Sequence, residues 1–497
     1  MRRAPFLALI LLAPAAAQEK ASPPAFLDAW FEAEWKKAGL RPAEPAEDAA
    51  FLRRVSLDLT GSLPAPDDVR AFLKSASKNK RAAKIDELLR SPGAADYFAH
   101  LWVQWLMGHD VDERDLRRID FGALTRWLKD AWTKGMPYPD LVRAFLSATG
   151  PAKDNPPAAF AAKHTVAGEP PSSLAGISAR LFLGRDIRCA QCHDHPYEKV
   201  TQEDFWGYAA FFRAPGPKPA MLREDFGEAF VDPTFLDGRK PEPEEPRREA
   251  LARLALSMDG DALAQTVVDR TWRLFFGRGL SKTRKDPGRP ELLAILTAEF
   301  VKHGQDLRWL MKTISSSRAY QLSSEGPDAA RKDYAAGPLK MMNSVQFLRA
   351  WNHAFQWDAY FRQVYEKDPS KAPFFADPDA FWVGQTMQAK ELLFPKGRDP
   401  EEVLAQGTDR LALKLMNNRD IQLLMIAQFG LVRKVMGRTD DPGRRLEELF
   451  LHMVSRPPRA SERARCLAHA KSYGNPYHGW TDVFWMLFNS SEFIFVG

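Results

Sequence analysis

Cysteine is nearly absent. Three occur in 497 residues, so no disulfide framework holds this chain, and its stability must come from a buried apolar core that this length can supply unaided. Beyond the first residues no apolar run reaches the roughly 18 needed to cross a bilayer. Sustained period-two alternation is equally scarce, which leaves little from which to build a large sheet. Neither sign of charge dominates: 70 basic and 64 acidic residues give a formal +6, interspersed along the chain. That pattern describes a solvated surface rather than a polyphosphate-binding stripe, and no nucleic-acid partner is expected. Phosphate-cradling loops, serine-nucleophile elbows and H-E-x-x-H zinc sites do not occur either. The segment from Asp110 opens like a calcium loop, but Arg114 stands at its fifth position and Asp115 where glycine is required, so it reads as a solvated turn.

What is present begins at the N-terminus. Met1-Arg2-Arg3, an apolar run from Ala4 to Ala13 and the small residues Ala15-Ala16-Ala17 predict a signal peptide over 1–17, cut after Ala17. The mature chain is then expected in the periplasm or otherwise outside the cytoplasm, without a transmembrane segment. Helical spacing dominates the rest. Val69, Phe72 and Leu73 repeat at i, i+3, i+4 behind Pro66, as do Ile85, Leu88 and Leu89, and the pattern returns in Leu292–Phe300, Leu307–Ile314, Leu446–Met453 and Val483–Phe488. The expectation is an all-α protein of two mainly helical domains with long loops. A lead-in over 18–46 precedes a first domain at 47–214; a Pro-rich linker at 215–246 separates it from a second domain at 247–497. A second long loop, about 367–400, carries Phe374, Phe375, Phe381 and Trp382 and is expected to pack down.

The most informative string is Cys189-Ala190-Gln191-Cys192-His193, a match to C-x-x-C-H, the attachment sequence for c-type haem. Two thiols three positions apart on one helical turn can each form a thioether with a haem vinyl, and the adjacent imidazole can then reach the iron. Cys189, Cys192 and His193 are therefore the expected cofactor-binding residues, with His193 the iron ligand. The alternatives are a zinc or non-haem iron site that adds His195, a dithiol/disulfide pair, and two structural thiols. Pro196 pulls His195 out of helical conformation, which cramps the metal reading. A sixth iron ligand has candidates in Met107, His109, His164 and Met221, and an open position is equally compatible. Around the motif, Ile177, Leu181 and Phe182 predict a helix ended by Gly184, and Thr201 with Asp204 predicts a capped helix start. Phe205, Tyr208 and Phe212 share one face of that second helix and read either as a wall for a porphyrin or as core. They are expected to be buried, with the motif beside a cleft at the junction of the two halves. Cys466 reads as a buried free thiol.

With these residues in view, the chain resembles planctomycete-type secreted proteins of unknown function, in which a cytochrome-like PSCyt-type domain precedes a PSD-type domain. The likeness rests on Phe51–Gly61, on Leu181–Gly184 running through Cys189 to Pro196 and on to Asp204, and on Asp269–Trp272 with Phe276–Leu280. It continues in Ser316–Ser323, Ser455–Pro458 and Asn489–Phe493. Two departures stand out: Val200 replaces a usual Trp, and Ser281–Pro290 lacks an acidic segment. The resemblance implies a periplasmic protein with a C-x-x-C-H site, a redox partner or a sulfatase-like secreted partner, and no established reaction. Together the residues point to a periplasmic monohaem c-type redox or electron-transfer protein. The alternative is a non-catalytic extracytoplasmic scaffold or binding protein with a structural Cys/His metal site.

Overall fold

In a computed structural model of the chain, the residues described are 25–107, 115, 118–165, 171–213, 220–221, 230–283, 286–355, 377–379, 381–383, 416–417 and 430–497. The expected signal peptide, His109, Asp110–Arg114 of the acidic turn and most of the second long loop lie outside them, while Asp115, expected in a solvated turn, is buried and pairs with Lys163 at 2.6 Å. Helices make up nearly all the regular structure, and the fold is all-α. In chain order they are α1 (Ala25–Ala38), α2 (Asp48–Thr60), α3 (Pro66–Lys74), α4 (Lys80–Arg90), α5 (Pro92–Met107), α6 (Phe121–Lys134), α7 (Tyr138–Ser147), α8 (Ala158–His164), α9 (Ser172–Phe182) and α10 (Gln202–Ala209). Beyond the Pro-rich segment follow α11 (Arg247–Leu256), α12 (Ala262–Phe276), α13 (Pro290–Lys302), α14 (Leu307–Ser316), α15 (Arg318–Gln321), α16 (Asp328–Lys332) and α17 (Ser344–Phe355). The last set is α18 (Leu431–Arg438), α19 (Pro442–Val454), α20 (Ala460–Lys471), α21 (Pro476–Phe488) and α22 (Ser491–Ile494).

The apolar spacing places these helices and decides which side they bury. In α3, Pro66 opens the first turn with Asp67 and Asp68 beside it, where a missing N–H costs nothing and acidic groups meet the positive helix end. Val69 and Phe72 then turn inward, while Leu73 at the edge of the stripe is left exposed. The α4 stripe buries Ile85 and Leu89 in the same way. Cys466, on α20, is a buried free thiol as its apolar neighbours predict.

Two buried clusters organise the chain. The larger takes Phe31, Trp102, Phe145, Phe182 and Tyr208 from before the Pro-rich segment and Leu251, Trp272, Phe300 and Tyr334 from after it. The smaller gathers Met341, Phe347, Leu446, Phe450, Phe484 and Val496, with Leu57 and Leu63 from the first part of the chain. Apolar packing is thus continuous across the Pro-rich segment and regroups near residue 340. Only short strands occur among the described residues: β1 (Ala220–Met221) pairs antiparallel with β2 (Phe230–Val231), and β3 (Lys340–Met341) with β4 (Phe495–Val496). The second pair ties the end of the chain to the point where the two clusters meet.

Candidate functional site

The C-x-x-C-H segment lies between α9 and α10, which pack against each other. Gly184 turns the chain out of α9 at φ +67, and a Cβ there would sit 2.6 Å from the Thr266 hydroxyl of α12. Both the left-handed backbone and the close approach demand glycine. Arg270, also on α12, donates to the Leu181 carbonyl at 2.7 Å and so satisfies an open acceptor at the end of α9. The chain then winds one 3-10 turn over Arg188–Gln191 with Cys192 still in helical conformation. Gly176 of α9 lets this turn lie close, since a Cβ would come within 2.8 Å of the Arg188 stem.

Burial alternates sharply through the loop. Ile187, Ala190 and Val200 are buried and anchor it, while Cys189, Cys192 and His193 are exposed. The turn presents both thiols on the surface and keeps only the small Ala190 between them inside. Val200, where the resemblance leads one to expect Trp, is a core plug rather than a ring beside the cysteines. Fully burying such a side chain contributes roughly 1.5–3 kcal/mol.

The two histidines differ in what their rings have left to offer. His193 Nδ1 lies 2.8 Å from the Asp194 carbonyl, which can only accept, so Nδ1 carries the proton and Nε2 keeps a free lone pair. His195 Nδ1 instead accepts from the backbone N–H of Tyr197 at 3.2 Å and of Glu198 at 3.0 Å. Its lone pair is committed, and the neutral ring carries its proton on Nε2. The backbone of His195 adds a bond from its N–H to the Val200 carbonyl at 2.8 Å. His195 holds the turn together, and His193 is the ring equipped to bind something.

The far side of the loop is fixed by the start of α10. The Thr201 hydroxyl accepts from the Asp204 N–H at 3.1 Å, and the Asp204 carboxylate accepts from the Thr201 N–H at 2.8 Å, the reciprocal cap the sequence predicts. Asp194 accepts from the Gln202 N–H at 2.9 Å, and the Gln202 amide donates to the Gln191 carbonyl at 3.1 Å. An ion pair between Arg185 and Glu198 at 3.6 Å spans the loop.

Phe205, Tyr208 and Phe212 are buried in the larger cluster. Phe235 packs 5.9 Å from Tyr208, Ser178 meets the Tyr208 hydroxyl at 3.1 Å, and the Arg248 guanidinium lies 5.0 Å over Phe212. These rings are core and form no wall beside the cysteines. The motif is not among the residues that line the clefts of about 520 and 580 Å³. α10 turns its aromatic face inward, and both cysteines of the loop are exposed.

As for a haem, the donor set fits: two accessible thiols on one turn and an imidazole with a free Nε2. For the four-ligand metal alternative, no group of three or more His, Cys, Asp or Glu placed to hold an ion occurs among the described residues. Of the sixth-ligand candidates, Met107 is fully buried in α5. His164 uses both nitrogens, Nε2 donating to the Leu106 carbonyl at 2.7 Å and Nδ1 accepting from Ser173 at 3.4 Å. Met221 lies on β1.

Sequence reasoning missed a second set of polar residues. Asp96 and His100 lie one turn apart on the mainly apolar α5, and they line the 520 Å³ cleft with Lys129 and Arg349. The i, i+4 polar pair inside so apolar a helix was the available signal.

No curated protein and no solved structure matches the chain. Family models do: residues 26–215 match PSCyt2, a protein of unknown function (DUF1549), and residues 247–350 match PSD1, a protein of unknown function (DUF1553). The first match contains the whole C-x-x-C-H loop, and the second contains Arg270, which closes the helix before it. In that order of domains, the chain belongs to the family of proteins that carry a PSCyt2 domain followed by a PSD1 domain.

Proposed function

We propose that Cys189, Cys192 and His193 attach one c-type haem, and that the protein works outside the cytoplasm as a monohaem redox or electron-transfer protein. The observation that carries this reading is the contrast between the two imidazoles: the ring directly after the second thiol keeps Nε2 free, while the ring two residues on is spent on backbone N–H groups. A bound haem would supply one-electron chemistry at the iron. The protein's part is to hold both thiols and Nε2 of His193 outward on one braced turn. The Asp194 carbonyl fixes the His193 tautomer and raises the basicity of the ligating nitrogen. Exposure of the turn lets a partner approach closely, as electron transfer between proteins requires.

Expression in a host with a haem-maturation system, followed by a visible spectrum and intact mass, tests the reading. Denatured protein should keep a porphyrin chromophore and a haem-sized mass increment. Colourless protein of unmodified mass, whether it holds zinc or a Cys189–Cys192 disulfide, overturns it.

A further inference from the structure

A cleft of about 520 Å³ opens where α5 and α6 of the first family domain face α17, a volume within the range of small-molecule sites. It holds a cluster of carboxylates and a guanidinium, near enough for the Asp96 charge to act on Arg349. Lys129 bridges two carboxylates, Asp96 at 2.7 Å and Asp379 at 2.5 Å, so that the trio carries one net negative charge. The Arg349 guanidinium donates to the Thr60 carbonyl at 2.7 Å and lies 3.2 Å from His100 Nδ1, and among the described residues no carboxylate stands at ion-pair distance from it.

His100 does not neutralise that cation. Its Nδ1 donates to the Asp96 carbonyl at 2.6 Å, and burial, with Arg349 beside it, pushes its pKa down to about 3, so the ring is neutral at any physiological pH. Its Nε2 is buried without a hydrogen-bond partner, although the side chain is only 6% exposed and lines the cleft. His353 at the rim shares a hydrogen bond with His452 at 2.7 Å, and burial lowers its pKa too. Both imidazoles therefore leave these charges unchanged. A buried acceptor without a donor, and a buried guanidinium with no carboxylate at ion-pair distance among the described residues, are costly features for a fold to keep beside an open cleft.

We propose that this cleft binds a small zwitterion, an amino acid or dipeptide, with its carboxylate on Arg349 and its ammonium toward Asp96 and Asp379. The guanidinium offers a planar pair of donors to a carboxylate. Asp96 and Asp379 supply carboxylate oxygens that Lys129 has not saturated, since each can accept more than one hydrogen bond. The site is independent of the cysteine loop and does not require haem.

Saturation-transfer NMR on the full chain tests it, with L-glutamine, glycylglycine, L-alanyl-L-alanine and 6-aminohexanoate as probes. At least one probe should bind saturably below about 10 mM, and its N-acetylated and amidated forms should bind at least about tenfold more weakly. Arg349→Gln and Asp379→Asn should each weaken binding by about tenfold, circular dichroism reporting the fold. Asp379 is near the cleft surface, so its variant carries the test if Arg349→Gln fails to fold. No binding by any probe overturns the proposal. So does binding indifferent to N-acetylation, which marks an anion site only, and so does binding that survives substitution in a folded variant.

Discussion

Asp58 of α2 and Lys340 of β3, 282 positions apart, form an ion pair at 2.5 Å with both side chains almost wholly buried. Lys340 also donates to the Leu274 carbonyl, the Tyr320 hydroxyl donates to Asp58 at 2.8 Å, and Gln346 donates to Asp58 at 3.3 Å. One helical turn before Asp58, Arg54 donates to the carbonyls of Tyr320 and Leu322. Arg54, Asp58, Tyr320 and Leu322 come from stretches that carry the family resemblance, while Leu274, Lys340 and Gln346 lie elsewhere in the PSD1 match. The network is a polar contact between the PSCyt2 and PSD1 matches.

Removing one partner should therefore cost far more than removing a surface pair. Asp58→Asn leaves Lys340 buried and uncompensated, and we expect a loss of about 3–5 kcal/mol in urea denaturation. Asp58→Asn with Lys340→Met should lose clearly less than the two single losses added, because no unpaired charge remains. Additive losses would show that the pair is not coupled.

Stability should fall on mild acidification. Burial pushes His100 and His452 down to about 3 and His164 down to about 4, so all three fold as neutral rings. In the unfolded chain they take up protons near pH 6.5. The stability held in their neutrality is complete above that pH and is lost as pH falls toward the folded values, by up to about 1.4 kcal/mol per unit for each ring. Glu462, held down to about 2 chiefly by its hydrogen bond from Arg456, keeps its full contribution above its ordinary range and loses it only as pH falls below. The window from pH 6.5 to 4.5 thus isolates the histidines. Urea midpoints measured across it should slope downward, and His164→Gln should flatten the slope.

The cap at the start of α10 should matter to the cysteine loop as well as to the helix. Thr201→Ala removes the acceptor for the Asp204 N–H and should cost about 1 kcal/mol. Because Gln202, in the first turn, holds Asp194 and the Gln191 carbonyl, amide exchange across residues 192–200 should quicken in the same variant. Unchanged exchange would separate the loop's order from the helix start.

The sequence carried the local grammar of this fold. Spacing located α3, α4, α13, α14, α19 and α21, Gly184 located the end of α9, and Thr201 with Asp204 located the cap, because each of these is decided within a few residues. It could not say which way the ring face of α10 turns: Phe205, Tyr208 and Phe212 have the same spacing whether they line a porphyrin or a core. Phe235 and Arg248, from outside the helix, decide the matter. Nor could local pattern reveal that Asp58 meets Lys340, or that Asp96 and His100 face Arg349, since those pairings depend on how separate helices pack. Continuous burial across the Pro-rich segment has the same origin, for proline density reports where the chain cannot be helical and not where the core divides.

The decisive comparison lies between the two imidazoles of the motif. His193→Ala removes the one ring whose Nε2 is free, so in protein matured with haem it should abolish the native Soret position and the ligand bands while thioether attachment persists. His195→Ala removes instead the acceptor of the Tyr197 and Glu198 N–H groups, both exposed enough to find water, so the cost should be about 1 kcal/mol of stability with the spectrum nearly unchanged. His195→Asn, which can accept the same backbone bonds but not ligate as an imidazole, should restore most of that stability. The reverse order, with the spectrum lost in the His195 variants and kept in His193→Ala, would mean that the turn rearranges on attachment and that its hydrogen bonds here do not define the ligand.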